Sequence, residues 1–311
     1  MNLQQLEYLV ALDTHRNFSQ AAKSSFVTQP TLSMMVQKLE EELGLRIFDR
    51  HRKPLAPTRE GVEIVRRARQ ILAEVGHLKE YVTSLRGAIS GELRLGIIPT
   101  LAPYLLPLFL KSFTTAYPQL RLHIKEAVTD DIIALLRRGE LDMGLVATPL
   151  GEAGLAEYPI FQEEFFAYAA ESEGLPHKKY VLPTHIDPAK LWLLQEGHCL
   201  RNQIFNLCEL KDRDDLLSAN VRYEAGSIET LINLVDHHGG VTIVPQLAAL
   251  HLTNHQKKNL REFSHPKPAR EISLVTPKNF PRQLLLEKLR EEIAARVPVL
   301  ASGERRRVLA R

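Results

Sequence analysis

Ile64, Ala68, Ile71, Val75, Leu78, Val82 and Leu85 recur in alternating steps of four and three along one stretch of the chain. Only an α-helix gathers residues at that spacing onto one face. A period of about 3.5 residues held over several heptads fits a helix zipped to a second helix. The pattern therefore predicts a dimerising helix, about 32 Å long at about 1.5 Å per residue. The alternative is a single amphipathic helix lying on its own domain. Gly87 and Gly91 close the pattern, and the periodicity on the two sides of them differs in kind.

Residues 1–60 read as helices. Asn2 can cap a helix over 3–12, with Leu3, Leu6, Leu9 and Val10 on one face. A short helix over 19–25 carries the small pair Ala21-Ala22. Thr28 is a fit cap for a third helix, with Pro30 in its first turn and Gly44 as its stop. Leu32, Val36, Leu39 and Leu43 form its inward stripe. Pro30, Met34, Gln37 and Lys38 then point away from that stripe, with Thr31 and Ser33 on its flanks. Two helices joined by a tight turn, the second with a small, polar, exposed leading end, match a helix-turn-helix. The basic segment 45–57 follows as a candidate wing.

Charge supports that placement. Residues 1–90 hold 13 Lys+Arg against 10 Asp+Glu, which is the whole net charge of +3. Arg46, Arg50, Arg52, Lys53 and Arg59 crowd residues 46–59 against Asp49 alone. A basic patch at one end of a neutral body is the footprint of a module for a polyanion, most simply nucleic acid; a solvated face is the plainer reading.

After Gly91, short apolar runs alternate with helical ones. Strands are predicted at 93–98, 120–124, 143–146, 165–169, 191–195, 221–223, 241–244 and 272–276, with helices at 101–116, 130–138 and 282–297. That alternation predicts parallel α/β sheets in two small lobes with a cleft between them. The basic tail 304–311 is expected to fray and to carry no function.

With 311 residues, 44% hydrophobic and 25% charged, the chain is expected to be globular with two or three domains, not disordered or fibrous. No apolar run approaches the roughly 20 residues a bilayer needs. The start Met1-Asn2-Leu3-Gln4-Gln5-Leu6-Glu7 has neither the basic nor the apolar region of a signal peptide. Cytoplasm is the expected compartment, and no membrane contact is expected. The only cysteines are Cys199 and Cys208. Such a pair in a cytosolic chain reads as inert buried residues, a metal half-site or a redox pair.

The motifs narrow these readings. Phe18-Ser19-Gln20-Ala21-Ala22, Gln29-Pro30-Thr31-Leu32-Ser33, Leu39-Glu40, Leu43-Gly44, Phe48-Asp49-Arg50, Thr58 and Gly61 resemble the winged-helix module of LysR-type transcriptional regulators. Gly139-Glu140-Leu141-Asp142 and the run 239–245 resemble the same family's effector domain. The stretch 96–107, Glu196-Gly197-His198-Cys199-Leu200-Arg201, Cys208 and Ser227-Ile228-Glu229-Thr230-Leu231 are most similar to its peroxide-sensing branch. Ser25 stands where most of the family has a core leucine, and His237-His238 precede Gly239 where smaller residues are usual.

The resemblance implies an α/β chain in three parts. A winged helix-turn-helix occupies 1–60 and a dimerising linker helix 61–88. A two-lobed regulatory domain like a periplasmic binding protein follows at 89–311, with lobe I about 89–163 and 266–300 and lobe II about 164–265. It also implies a transcriptional activator of antioxidant genes, not an enzyme, working as a dimer of dimers with double-stranded DNA and RNA polymerase as partners. No cofactor or metal is expected; Cys-x8-Cys with one adjacent histidine does not match a usual zinc pattern.

The resemblance further implies that hydrogen peroxide is the signal. Peroxide oxidises one cysteine, the other forms a disulfide with it, and a glutaredoxin- or thioredoxin-type reductant resets the pair. Cys199, flanked by His198 and Arg201, is the expected peroxidatic residue and Cys208 the resolving one. By the same resemblance Thr100, Thr129, His198 and Arg270 line the peroxide pocket. Were 199–208 helical, the cysteines would lie on opposite faces about 13.5 Å apart along the axis. A disulfide needs Cα atoms within about 7 Å, so closure requires unwinding.

Gln29, Pro30, Thr31, Ser33, Met34, Gln37 and Lys38 are expected in or over the major groove, and Arg50, Arg52 and Lys53 on the backbone or minor groove. Two alternatives remain open: a regulator of the same family that binds a small metabolite between its lobes, and a thiol peroxidase that turns over.

Overall fold

The structure, a computed structural model, describes residues 1–84, 89–175, 178–195, 199–208, 225–297 and 306–309. The chain divides into two compact units, one built on Met1–Ala88 and the other on Ile89–Leu136 and Leu141–Arg311.

In the first unit, caps set the helix boundaries. Helix α1, Leu3–His15, starts at Asn2, whose side chain accepts from the Gln5 backbone N–H while Gln5 Oε1 accepts from Asn2. It outruns the expected end at residue 12 and stops where Arg16 turns left-handed. Asn17 caps α2, Phe18–Ser24. Thr28 caps α3, Gln29–Leu43, which ends at left-handed Gly44. Leu6, Leu9, Leu12, Leu32, Val36 and Leu39 meet in the core. Leu43, expected in the stripe, lies beyond that core and is 39% exposed.

The wing is a minimal antiparallel pair, β1 Phe48–Asp49 and β2 Ala56–Pro57. Glu40 of α3 fixes its base: one carboxylate oxygen accepts from the Ile47 and Phe48 backbone N–H groups at 2.7 and 3.1 Å. Helix α4, Arg59–Ser84, then runs past the wing. Any side chain at Gly61 would meet the Ile47 carbonyl oxygen, 2.0 Å from an ideal Cβ. Only glycine permits that approach.

The predicted stripe divides along α4. Ala68 is buried and Ile64 packs beside it against the unit's own core, while Ile71 and Leu78 stay exposed. Asp13 of α1 ties Arg69 at 2.7 Å. The near end of the stripe therefore serves this domain rather than a partner helix, because α1 already covers it. Val75 is half-buried; the Val82 side chain and Leu85 lie outside the described residues.

The second unit starts as the sequence predicts. Strands β3 (Gly91–Ile97), β4 (Leu120–Glu126) and β5 (Met143–Thr148) pair in parallel, connected by α5 (Ala102–Ala116) and α6 (Thr129–Arg137). Beyond them the all-parallel expectation fails. The long strand β6, Leu155–Ala169, pairs antiparallel with β9, Lys267–Pro277, and β9 lies antiparallel to β5. Up to Glu164 the partner of β6 is β9. From Phe165 it is β7, Val241–Pro245, with β8, Leu260–Glu262, on its other side. One continuous strand thus belongs to two sheet regions.

Around the second region lie α7 (Cys199–Leu207), α8 (Ile228–His238) and α9 (Gln246–Leu250); α10 (Gln283–Arg296) packs on α5 and β6. The strand expected at 191–195 is reduced to isolated bridges at Leu191 and Leu194, and the one expected at 221–223 lies outside the described residues. The tail does not fray throughout: β10, Arg306–Val308, pairs in parallel with the start of β9, and Leu309 is buried.

Candidate functional site

Cys199 opens α7 and is 3% exposed; Thr129 opens α6 and is fully buried. The Thr129 hydroxyl and the Cys199 sulfur are hydrogen-bonded. Behind them stands Arg270 of β9, fully buried. Its Nη1 donates to Thr100 Oγ1 at 2.8 Å and its Nη2 to the Thr100 carbonyl at 3.2 Å. Its Nε donates to Glu163 Oε2 at 2.7 Å. The β6–β9 register sets Glu163 directly opposite Arg270. The other Glu163 oxygen accepts from the Leu247 backbone N–H at 2.8 Å. A buried guanidinium needs such a set of acceptors, since a charge without them is costly to keep away from water.

Burial pushes the Cys199 thiol above its ordinary value. The Thr129 hydrogen bond, the positive charge of Arg270 and the residue's own N–H at the helix start act in the opposite sense. Among the described residues, the charge that favours the thiolate is Arg270. Arg201 donates to the Leu194 carbonyl at 2.8 Å and lies over the Phe205 ring; His198 lies outside the described residues.

Cys208 is half-buried, and burial pushes its thiol up to about 12. Its N–H bonds the Ile204 carbonyl, so the helical turn includes it. Both thiols are free, at opposite ends of a helix that sets them about 13.5 Å apart along its axis. Leu200, Gln203, Ile204 and Leu207 bury the face of α7, and Gln203 Nε2 donates to the Leu309 carbonyl of the tail at 3.1 Å.

Thr100, Thr129, Cys199 and Arg270 are therefore brought together and Cys208 is held apart. Sequence reasoning missed Glu163, which sits in an unremarkable polar run, Gln162-Glu163-Glu164. It also passed over Tyr104, whose hydroxyl donates to Glu229 Oε1 at 2.5 Å. Both residues of that pair belong to motifs already singled out, but nothing in those motifs links them.

On the first unit, Gln29, Pro30, Thr31, Met34, Gln37 and Lys38 of α3 are exposed and Ser33 is half-buried. Gln29 accepts from the Ser19 hydroxyl, Thr31 bonds Thr28, and Gln37 donates to Glu41. Arg52 and Lys53 are exposed on the wing. Arg50 differs from expectation. It is half-buried, bonds Glu40 at 3.2 Å and lies over the Phe18 ring, so it braces the wing against α3 and α2. Among the described residues no helix is long and apolar enough to cross a membrane.

Comparison with known proteins gives two family matches. Residues 3–62 match the bacterial regulatory helix-turn-helix of the lysR family, and residues 86–298 match the LysR substrate binding domain. The chain is 35% identical over 297 residues to the DNA-binding transcriptional dual regulator OxyR of Escherichia coli K12, covering 96% of each chain. A full-length OxyR variant from Pseudomonas aeruginosa superposes with a TM-score of 0.80 at 30% identity, covering 96% of both chains. A hydrogen-peroxide-bound OxyR mutant from Corynebacterium glutamicum gives 0.62 at 28% identity, covering 94% of this chain and 92% of that one.

Proposed function

The chain belongs to the LysR family of transcriptional regulators, and from that premise we propose that it senses hydrogen peroxide through Cys199 and Cys208 and switches antioxidant genes on. It is a DNA-binding regulator and not an enzyme. The relatives named as hydrogen-peroxide-inducible activators support the stimulus. The observation that carries the mechanism is the placement of two free thiols at opposite ends of one short helix, the first of them beside Thr129 and in the field of Arg270.

The chemistry follows from those groups. The Cys199 thiolate attacks one peroxide oxygen, the O–O bond breaks, and the departing hydroxide takes a proton to become water. Cys199 is left as a sulfenic acid. Thr129 and Arg270 favour the thiolate that makes the attack, and Thr100 holds the guanidinium in place. Cys208 then attacks the sulfenic sulfur, forming the disulfide and releasing a second water. Two thiols and one peroxide thus give one disulfide and two waters.

The second step cannot occur on an intact α7, because about 13.5 Å of helix separates groups whose Cα atoms must approach within about 7 Å. Oxidation therefore exchanges helical packing for a covalent bond. Leu200, Ile204 and Leu207 leave their buried places, and that rearrangement is the signal passed to the oligomer. A dimer of dimers holds the operator through α3 and the wing, with Gln37 reading base edges and Lys38, Arg52 and Lys53 meeting phosphates. RNA polymerase is recruited by the oxidised form, and a glutaredoxin- or thioredoxin-type protein restores the thiols.

The test is selection of bound sequences from random DNA by reduced and by peroxide-treated protein, followed by footprinting on the selected site. The expected result is a footprint that changes on oxidation in the wild type and stays fixed in Cys199→Ser. Identical footprints in both states of the wild type would contradict the reading.

A further inference from the structure

Among the described residues Arg270 is the charge that favours the Cys199 thiolate against its burial, yet it does not act alone. Its guanidinium is fully buried and so is the carboxylate of Glu163, which meets Nε and Nη2 at 2.7 Å. The two face each other across the β6–β9 ladder, so sheet geometry, not side-chain flexibility, holds them together. We propose that Glu163 restrains the reactivity of Cys199 by neutralising Arg270, which sets the peroxide threshold of the sensor. This rests on the reading of Cys199 as the reacting thiol.

With Glu163 present the buried pair is neutral overall, so a thiolate at Cys199 adds an uncompensated negative charge to a dry site. Without the carboxylate the same thiolate would neutralise a bare guanidinium. In surroundings of low effective dielectric, removing the full charge that neutralises the guanidinium moves the titration of a thiol in its field by about one unit or more. Among the described residues, the other groups bonded to or acting on this pair do not replace Glu163. Tyr104 of α5 feels both Glu163 and Arg270, and its hydroxyl is held neutral by burial and by Glu229 of α8. Thr100 offers Arg270 a neutral hydroxyl and a carbonyl.

A fully reactive thiol would need no such partner. Glu163 also accepts the Leu247 N–H that starts α9, so it links the charge of the sensing site to a neighbouring helix as well as to the opposite strand. As a positioning residue it touches Arg270 and never the sulfur; its effect reaches Cys199 through the guanidinium alone.

The experiment uses the full chain carrying Cys208→Ser, which leaves Cys199 as its one thiol. Iodoacetamide alkylation is followed by intact mass across pH, without peroxide. Glu163→Gln is expected to lower the pH midpoint of alkylation by about one unit, a roughly tenfold faster reaction at pH 7. Glu163→Asp, which withdraws the carboxylate by one carbon, should shift the midpoint the same way by less, and serves where the glutamine variant does not fold. Glu163→Gln combined with Arg270→Gln should bring the midpoint back to or above that of the parent.

An unchanged or raised midpoint in Glu163→Gln or Glu163→Asp overturns the proposal, because an ion pair that only holds the fold together would lower the melting temperature without moving the titration. A fall that persists in the double variant overturns it too, since Glu163 would then act without Arg270. The peroxide reading fails separately: if the intact protein forms no disulfide with peroxide yet the midpoints shift as described, only the stimulus is wrong.

Discussion

Replacing Thr129 by valine removes one hydroxyl and almost no volume, at a place where solvent cannot compensate: Thr129 is fully buried and Cys199 is 3% exposed. In the native protein that hydroxyl is bonded to the Cys199 sulfur. A buried hydrogen bond to a charged group contributes about 1.5–3 kcal/mol and one between neutral groups about 0.5–1.5 kcal/mol. The difference, about 1–1.5 kcal/mol, is what the thiolate loses relative to the thiol, and it corresponds to about one pKa unit. The Cys199 thiol already lies above its ordinary value, and losing a donor to its charged form moves it further up. Below its midpoint the thiolate fraction, and with it the oxidation rate, should fall about tenfold. Quenched-flow mass spectrometry of the Cys199 peptide, mixed with peroxide at several pH values, measures this directly. The two proteins should differ most at neutral pH and converge at high pH, and Thr129→Ser should stay near the wild type. Equal rates for valine and threonine at neutral pH would refute the reasoning.

Other perturbations probe the rest of the structure. Glu40→Ala leaves the Ile47 and Phe48 N–H groups without their acceptor; it should destabilise the first unit by about 2–6 kcal/mol, given about 1–3 kcal/mol for each unsatisfied buried group. Its denaturant midpoint should fall and DNA affinity with it. Leu78→Glu, on an exposed position, should leave the fold intact and weaken self-association in analytical ultracentrifugation, whereas Ala68→Glu, in the core, should unfold the first unit. Lys38→Ala should weaken binding to all DNA sequences alike and reduce the slope of log affinity against log salt by about 0.9. Burial pushes Cys208 up to about 12. Its contribution to stability is therefore whole below the unfolded value of about 8.5 and is lost as pH rises through that window. Chemical denaturation from pH 8 to pH 11 should show a shallower alkaline loss in Cys208→Ser than in the parent.

The helices of the first unit were legible because each carries its own boundary chemistry. Asn2 and Thr28 cap, Gly44 stops, and Leu6, Leu9, Leu32, Val36 and Leu39 point inward, while Leu3 and Leu43, expected beside them, are exposed. The strands that are apolar on both faces, such as β5 and β7, were equally plain. What stayed hidden is built from groups whose burial depends on a partner far away in sequence. The part of β6 that pairs with β9, residues 155–164, contains Glu157, Pro159, Glu163 and Glu164 and shows no apolar alternation; it is a strand because β9 supplies its ladder, and Arg270 the counter-charge for Glu163. The same holds for Arg50, which looks like a wing cation until Glu40 and Phe18 are placed around it. It holds for the tail, whose Leu309 finds its pocket only once β9 is present. The cysteine pair was visible at once; Arg270 was expected in the pocket only through the family resemblance, and its place opposite Glu163 on the β6–β9 ladder appears only in the fold.

The central claim is that peroxide links Cys199 to Cys208 by unwinding α7. Non-reducing peptide mapping by mass spectrometry, before and after a few equivalents of hydrogen peroxide and with Cys199→Ser alongside, tests it most directly. The account predicts a Cys199–Cys208 linked peptide within seconds to minutes, absent from the variant, together with faster amide exchange in residues 199–207 of the oxidised protein. Two free thiols after that exposure would contradict it.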